Sequence, residues 1–256
     1  MLALLSPAKK LELAREPAWG AHTLPAFLAD AEALASKAKG LSRSQLRRAL
    51  GVSEKLADLN HKRFQAFATP FTPANARPAA WVFAGDTYVG LDARTLDEAD
   101  MAFAQDRVRI ISGLYGLLRP LDLIQPYRLE MGSAFPPPRG GDLYGFWDGR
   151  LARAIDDAVA GHADKTVINL ASQEYFKAVA GKRLKASVVT PVFKEVKQGV
   201  AKVIGLFAKR PRGAMARYMI RRRLENPAGL KDFAEDGYRF RADLSDATTW
   251  VFTRGG

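Results

Sequence analysis

Residues 112–132 carry side chains that suit a ligand site. Tyr115 stands between two glycines, which let the backbone approach a ligand closely, and Arg119 and Arg128 are side chains that bind anions through paired hydrogen bonds. The same segment also fits an irregular buried crossover in which Arg128 pairs with Glu130. The glycine patterns of phosphate-binding loops and of dinucleotide sites are absent, so neither kind of site is indicated.

A second group of polar residues follows a predicted strand over residues 166–170. Asn169 and Ser172 lie at the carboxyl end of this strand, just before a predicted helix, and ligands gather at such ends in open α/β sheets. Alternatively, Ser172 caps that helix and Glu174 is a charge partner in its first turn. Both interpretations remain open on the sequence.

The polar residues of these two segments, together with Asn75, form a set too varied for phosphate binding alone. They support, as an alternative function, an enzyme that acts on a nucleotide, a nucleobase or another anionic small molecule. Glu130 or Glu174 would be its general acid or base, tuned by neighbouring cations, and Tyr115 and Asn169 are further candidates. The set comprises Asn75, Tyr115, Arg119, Arg128, Glu130, Asn169, Ser172, Glu174, Tyr175 and Lys177.

Familiar catalytic and metal-binding patterns are absent from the sequence. His22, His61 and His162 are too far apart in the chain to suggest a site, and no HxxxH pair or GxSxG elbow occurs. The lack of cysteine excludes disulfide scaffolds, zinc ribbons, iron–sulfur ligation and thiol catalysis. We therefore predict no metal and no cofactor, and the sequence favours a non-enzymatic function.

Basic residues are concentrated in two segments of a chain whose net charge is +12. The first spans residues 37–63, and the second spans residues 209–223 and contains no acidic residue. Cations held this close repel one another, and a polyanion relieves the repulsion, so nucleic acid is the predicted partner. The alternative is an ordinary solvated surface rich in arginine.

Residues 41–67 match a helix-hairpin-helix. Two predicted helices are separated by Leu50-Gly51-Val52, and the glycine permits the tight turn. Backbone amides of the hairpin and of the second helix's first turn are then expected to face outward and to hold a phosphate oxygen without reading sequence. A plain helical hairpin is the alternative. The predicted DNA-binding residues of this element are Arg43, Arg47, Arg48, Gly51, Val52 and Lys55.

The apolar pattern predicts a single compact domain of mixed α/β class, with a mixed sheet and flanking helices. Residues 1–5 and 166–170 are predicted buried strands. Hairpins are predicted over residues 81–91 and over residues 187–208, the second turning near Gly199. The predicted helices include residues 23–38, 97–105, 143–160, 172–179 and the basic 212–224.

Nothing in the sequence resembles a targeting or membrane segment. The apolar start, residues 1–5, is short and lacks the preceding charges of a secretory signal. No stretch approaches the roughly 18 apolar residues of a membrane span. We expect a cytoplasmic protein.

Several segments, taken together, resemble the YaaA family of bacterial peroxide-stress-response proteins. The resemblance implies a cytoplasmic protein, made under peroxide stress, that limits free iron and so limits oxidative DNA damage. It also implies one mixed α/β unit over residues 1–256, with an inserted helix-hairpin-helix at about 41–67 and a positively charged cleft that binds duplex, bent or branched DNA. The matching stretches are Ser6-Pro7-Ala8-Lys9 and residues 71–77, 85–91, 111–132, 167–177, 191–194 and 209–218.

Carried onto this chain, the resemblance adds seven cations to the predicted DNA-binding surface. No reaction, cofactor or metal comes with it. The leading hypothesis is therefore a DNA-binding stress protein whose hairpin and cleft contact phosphates, with DNA shape rather than base edges setting the preference. The cleft candidates are Lys9, Arg119, Arg128, Lys177, Lys209, Arg212 and Arg217.

Overall fold

The computed structural model describes residues 1–13, 20–180, 183–198, 200–205 and 208–255. The strands are β1 (Leu2–Leu5), β2 (Lys10–Leu11), β3 (Arg77–Pro78), β4 (Phe83–Ala84), β5 (Val108–Ser112), β6 (Gly116–Leu118), β7 (Leu123–Ile124), β8 (Val167–Asn169), β9 (Val188–Lys197), β10 (Val200–Lys202), β11 (Arg239–Phe240) and β12 (Thr249–Arg254). The α-helices are α1 (Leu28–Lys39), α2 (Arg43–Leu50), α3 (Glu54–Ala66), α4 (Ala79–Val82), α5 (Asp86–Leu91), α6 (Glu98–Arg107), α7 (Leu143–Trp147), α8 (Arg150–Val159), α9 (Gln173–Phe176) and α10 (Lys209–Arg221). Short 3-10 helices cover Ala93–Thr95, Pro227–Asp232, Glu235–Gly237 and Ala242–Leu244.

An eight-stranded mixed sheet organises the fold. Its strands follow the order β11-β12-β9-β8-β1-β5-β6, and β10 pairs with β9. β1 is parallel to both neighbours, with Ala3 opposite Val108 on one side and Ile168 on the other. β6, β10 and β11 are each antiparallel to their partners. The predicted mixed α/β class is confirmed.

β1 is buried over its whole length, and Leu2, Ala3, Leu4 and Leu5 have no exposed surface. A parallel strand covered on both faces needs an unbroken apolar run instead of alternating polar and apolar residues. The sequence of residues 2–5 has that pattern, which is why the strand was predictable. Its neighbour β8 is equally buried.

The chain changes its direction across the sheet at β1. From β1 the chain reaches β5 on one side, and later it places β8 on the other side. At such a point a crevice forms outside the carboxyl ends of the strands, because the two connections leave in opposite directions. The residues that follow β1 and β8 therefore line a common crevice.

Helices α5 and α10 cross in close backbone contact at two glycines. A Cβ atom at Gly213 would overlap the carbonyl oxygen of Thr87, and a Cβ atom at Gly90 would overlap the carbonyl oxygen of Arg210. Neither position therefore accepts a side chain. The crossing sets the first turns of both helices beside the crevice.

The predicted hairpin over residues 81–91 is wrong. Ala79–Val82 form the short helix α4, only Phe83–Ala84 are strand, paired with β2, and Asp86–Leu91 form α5. Trp81 on α4 and Tyr88 on α5 are both buried in the core. An apolar run this short has no periodicity that separates a buried strand from a buried helical turn.

Other predicted elements change at their ends. The helix predicted over 143–160 is divided into α7 and α8 at Gly149, which has a φ of 68°. The helix predicted to open near Thr23 begins at Leu28, because Thr23 instead donates to Asp122 Oδ1 (2.6 Å). β9 and β10 pair as the hairpin predicted over 187–208 requires, but β10 ends at Lys202, so the predicted second strand is confirmed only over residues 200–202. The predicted turn residue Gly199 and residues 206–207 lie outside the described residues.

Candidate functional site

A cleft of about 420 Å³ opens at the carboxyl ends of β1 and β8. Its walls come from segments distant in sequence: the loop after β1, the start of α5, residues 127–130, the turn after β8 and the start of α10. The cleft therefore occupies the crevice that the sheet topology predicts.

Two serines join the loop after β1 to the turn after β8. The Ser6 hydroxyl accepts a hydrogen bond from the Ser172 amide (2.8 Å) and donates one to the Ser172 hydroxyl (3.2 Å). The Tyr88 hydroxyl donates to the Ser6 carbonyl oxygen (2.9 Å), which fixes α5 at the same place. Ser172 precedes α9, but its side chain does not cap that helix. Ser172 instead holds the turn after β8 against the loop after β1, and both segments line the cleft.

Four of the lining residues, here called the carboxylate end of the cleft, are Tyr127, Glu130, Glu174 and Tyr175, and the charges of both glutamates act on the Tyr175 hydroxyl. Burial raises the pKa of both tyrosines, and the charge of Glu130 raises it further. Both tyrosines therefore remain protonated at neutral pH. The hydroxyl groups of Tyr127 and Ser112 form a hydrogen bond of 2.6 Å.

Hydrogen bonds to the carboxylate oxygens at this end leave one buried oxygen without a donor among the described residues. Arg128 Nε donates to Glu130 Oε1 (2.7 Å), whereas Glu130 Oε2 is buried and has no hydrogen-bond partner among the described residues. Glu174 Oε1 accepts from the Gly132 amide (3.0 Å). A buried carboxylate oxygen without a donor is costly, so Glu130 Oε2 is an acceptor that still lacks its donor.

Three further lining residues, here called the cationic end, are Lys9 in the loop after β1 and Lys209 and Arg212 at the start of α10. Arg212 is half-buried, and burial lowers the pKa of its guanidinium. No carboxylate opposes that shift, and across the described residues no acceptor is found for its donors. Lys9 and Lys209 are exposed and equally unpaired within that part of the chain. This end has donors and positive charge for an anion.

Eight of the residues singled out from the sequence lie together in the cleft. The general acid or base candidates Glu130 and Glu174 are both among them, at the carboxylate end. The convergent residues are Lys9, Arg128, Glu130, Ser172, Glu174, Tyr175, Lys209 and Arg212.

Tyr115 and Asn169 do not line the cleft. Tyr115 is fully buried, and its hydroxyl exchanges hydrogen bonds with the backbone of Gln125 (3.0 and 3.1 Å). Asn169 accepts from the Ala171 amide (3.2 Å) and donates to Thr190 (3.4 Å). Both polar groups hold local backbone in place, so neither is available as a catalytic group.

Four further candidates also have structural partners. Arg119 pairs with Asp122 at 3.2 Å, and Asn75 bonds its own loop at Thr72 and Pro70. Lys177 lies 4.5 Å from the ring centre of Tyr144, outside the cleft. Arg217 donates to the carbonyl oxygens of Leu91 (3.2 Å) and Asp92 (2.8 Å) at the end of α5.

The sequence reasoning missed Tyr88 and Tyr127 as cleft residues, and it did not give Ser6 a role. Ser6 had a usable signal, because it directly follows the buried β1, which lies parallel to β8. Tyr88 was hidden by the wrong hairpin assignment. Tyr127 has no local signal, since its place depends on how residues 127–130 pack against Gly113.

The predicted helical hairpin is present as α2 and α3, joined by a turn at residues 51–53. Ser42 and Gln45 form a capping box at the start of α2, and Gly51 is left-handed with a φ of 61°. The Gly51 amide donates to Arg48 and the Val52 amide to Arg47 (both 3.3 Å), which closes the helix end. These two amides are therefore not available to a phosphate, contrary to the expectation from sequence.

Three basic side chains of the hairpin are exposed, and they are here called the hairpin cations: Arg47, Arg48 and Lys55. None of them has an ion-pair or hydrogen-bond partner in the described ranges. Arg43 is different, because its Nε lies 3.6 Å from Asp58. None of the described residues that line the cleft belongs to α2 or α3, so the hairpin and the cleft are two separate positive features.

Part of the second basic segment makes contacts within the protein. Arg221 and Arg223 contact the two oxygens of the buried Asp100 on α6 at 3.0 and 2.5 Å. These ion pairs attach the end of α10 to α6. The basic segment 209–223, whose charge predicted a nucleic-acid partner, is thus partly a structural element.

Asp100→Asn is expected to destabilise the protein by about 1 to 2 kcal/mol at pH 7, because two half-exposed arginines lose their charged partner. The arginines lower the Asp100 pKa against the opposing effect of burial. This stability is present above the carboxyl's unfolded pKa and is lost as pH falls through its lower folded pKa. Urea unfolding at pH 7 and pH 3 is expected to give a difference between variant and parent that shrinks at pH 3. A constant difference would contradict the ion-pair account.

Among the described residues, no three histidine, aspartate or glutamate side chains are grouped so that they could hold a metal ion. No helix in that part of the chain has both the length and the apolar character needed to cross a bilayer.

Comparison with known proteins gives consistent matches over nearly the whole chain. The family described as peroxide stress protein YaaA matches residues 1–244. A UPF0246 protein of Magnetococcus marinus is 54% identical, covering 99% of both chains. A UPF0246 protein of Dinoroseobacter shibae is 51% identical over 99% of this chain and 95% of its own length. A UPF0246 protein of Alteromonas mediterranea is 49% identical over 99% of this chain and 98% of its own length. These matches support a stress-response role, and they establish that this chain belongs to the YaaA peroxide stress protein family.

Proposed function

We propose that this protein binds DNA in the cytoplasm during peroxide stress and limits iron-dependent damage to that DNA. The observation that carries the proposal is the contrast between its cations. Arg217, Arg221 and Arg223 are committed to internal contacts, whereas the hairpin cations are exposed on a capped, rigid helical turn without partners in the described part of the chain. Unpaired cations fixed at one place favour a polyanionic partner.

The start of α3 supports the same interpretation. Ser53 caps the helix by accepting from the Leu56 amide (3.4 Å), while the amides of Glu54 and Lys55 donate to no acceptor among the described residues. A helix N-terminus with free amides carries partial positive charge and suits a phosphate oxygen. The Glu54 side chain reduces that charge, so most of the attraction comes from the hairpin cations.

Contacts of this kind are made to the DNA backbone and bind all sequences alike. A protein that neutralises phosphates releases the cations condensed around them. Iron(II) is a cation of that kind, so binding lowers the amount of iron held against the DNA when peroxide is present. Protection then follows from occupancy of the backbone, with no metal site on the protein.

The double variant Arg47→Ala/Lys55→Ala tests the proposal. It is expected to weaken binding to every duplex sequence alike, because two phosphate contacts are lost. The slope of log affinity against log salt is expected to become shallower by about 1.8, at about 0.9 per phosphate. Fluorescence anisotropy with labelled duplex and four-way-junction DNA, titrated across salt, measures both effects.

The matched control is Arg153→Ala/Lys165→Ala, which removes the same two charge types from exposed positions outside the hairpin. It is expected to keep the parental slope. Equal losses in both double variants would mean that net charge alone attracts DNA, and the hairpin would have no special role. Protection of plasmid DNA against nicking by iron(II) and peroxide is expected to fall only in the hairpin variant.

A further inference from the structure

We propose that the cleft is a binding site for a nucleoside monophosphate, which is a role beyond backbone binding by the hairpin. The phosphate is bound at the cationic end by Arg212 and Lys209. The base is bound at the carboxylate end, where Glu130 accepts hydrogen bonds from its amino or imino groups. This ligand class is inferred from the unsatisfied groups in the cleft and from the apolar residues that line it with them.

Arg212 is the first unsatisfied group. Its guanidinium is half-buried, its pKa is lowered by burial, and its donors have no acceptor in the described ranges. Elsewhere in this protein, arginines in comparable positions pair with carboxylates or carbonyl oxygens, as Arg217 and Arg223 do. A desolvated cation without a partner weakens a fold, so its presence at the cleft favours an anion as its missing partner.

Glu130 Oε2 is the second unsatisfied group. Arg128 occupies the other oxygen, and Oε2 is buried without a donor from the described residues. The buried Asp100, by contrast, has a partner on each oxygen, Arg221 on one and Arg223 on the other. The ligand must therefore bring an N–H or O–H donor to this oxygen.

The two groups line the same cleft without pairing with each other, because Glu130 pairs with Arg128 and no carboxylate compensates the burial of Arg212. A free phosphate ion would satisfy Arg212 alone. A ligand that satisfies both groups is anionic in one part and carries hydrogen-bond donors in another.

Aromatic and aliphatic side chains among the lining residues suit a flat, partly apolar body. They are Tyr88, Tyr127, Leu129 and Leu170. Ligand sites are typically apolar with a few placed polar groups, and the volume of about 420 Å³ lies within their usual range. A nucleoside monophosphate combines the phosphate, the flat body and the donors, either free or as the terminal unit of a DNA strand.

Isothermal titration calorimetry with the full chain tests the proposal. AMP is expected to bind about tenfold more tightly than ribose 5-phosphate, which lacks the base, and than adenosine, which lacks the phosphate. Arg212→Gln is expected to weaken AMP binding tenfold or more, with affinity for adenosine unchanged. Glu130→Gln is expected to weaken AMP binding several-fold, with affinity for ribose 5-phosphate unchanged.

Thermal unfolding separates a ligand residue from a structural one. Arg212→Gln is expected to leave Tm unchanged or higher, because it removes a desolvated charge that the fold does not use. A clear fall in Tm would assign Arg212 to the fold and overturn its role as a phosphate ligand. The hairpin variant Arg47→Ala/Lys55→Ala is expected to keep AMP affinity, so loss of DNA binding and loss of nucleotide binding can be told apart.

Competition distinguishes the two sources of the ligand. Displacement of AMP by a 5′-phosphorylated single strand, but not by the same strand without its phosphate, assigns the site to a strand end. Displacement by free nucleotides alone assigns it to the cellular nucleotide pool. The proposal is overturned if AMP, GMP, CMP and TMP all bind more weakly than about 1 mM, or no better than ribose 5-phosphate.

Discussion

Gly213→Ala is expected to lower the free energy of unfolding by about 3 kcal/mol or more. The new methyl group would overlap the Thr87 carbonyl oxygen and press on the Leu91 amide, and both are backbone atoms of α5. Backbone cannot rotate away as a side chain does, so α5 and α10 must separate. The expected fall in Tm is roughly 10 °C, measured by circular dichroism.

The control for this variant is Gly161→Ala, because a Cβ atom at Gly161 meets nothing within 4 Å and the residue has no positive φ. It is expected to keep the parental Tm. The same separation of helices would move Lys209 and Arg212 away from Tyr88, so ligand affinity in the cleft should fall together with stability. A stable Gly213→Ala protein would mean that the two helices pack less closely than the structure has them.

Trp147→Ala is expected to cost about 4 kcal/mol of folding free energy. The indole is fully buried, its Nε1 donates to the Gly113 carbonyl oxygen (3.0 Å), and its ring lies against Gly116, which has a φ of 69°. Removing it leaves a large cavity beneath the segment that begins at Ser112. Urea unfolding at pH 7 gives the free energy directly.

Loss of Trp147 is also expected to loosen the carboxylate end of the cleft. Gly113 packs against the backbone of Leu129 and Glu130 so closely that no Cβ fits between them. The variant Trp147→Phe keeps one aromatic ring and removes the second ring together with its hydrogen bond, so a smaller loss of about 2 to 3 kcal/mol is expected. If Phe and Ala cost the same, packing of the indole would contribute little, contrary to its burial.

The sequence by itself determined the elements whose signals are local. β1 was predictable because a parallel strand covered on both faces needs a continuous apolar run. The helical hairpin was predictable because Ser42, Gly51 and Ser53 cap its helices through contacts a few residues apart. The family was predictable because its long stretches are specific.

Only the tertiary structure decided which polar residues form the site. Tyr115 and Glu130 belong to one polar segment, yet Gln125 satisfies the Tyr115 hydroxyl while Glu130 Oε2 is left for a ligand. Sequence proximity says nothing about such partners, because hydrogen bonds across the fold decide which groups remain free.

The same reason separates Arg212 from Arg217 on α10. Five residues along a helix turn the side chain by more than a full turn, so the two arginines meet different neighbours. Arg217 finds the end of α5, with Leu91 and Asp92 as acceptors, and Arg212 finds the cleft and no acceptor in the described ranges. Residue type and spacing determined that this helix is basic; the surfaces packed around it determined which of its charges remain for a ligand.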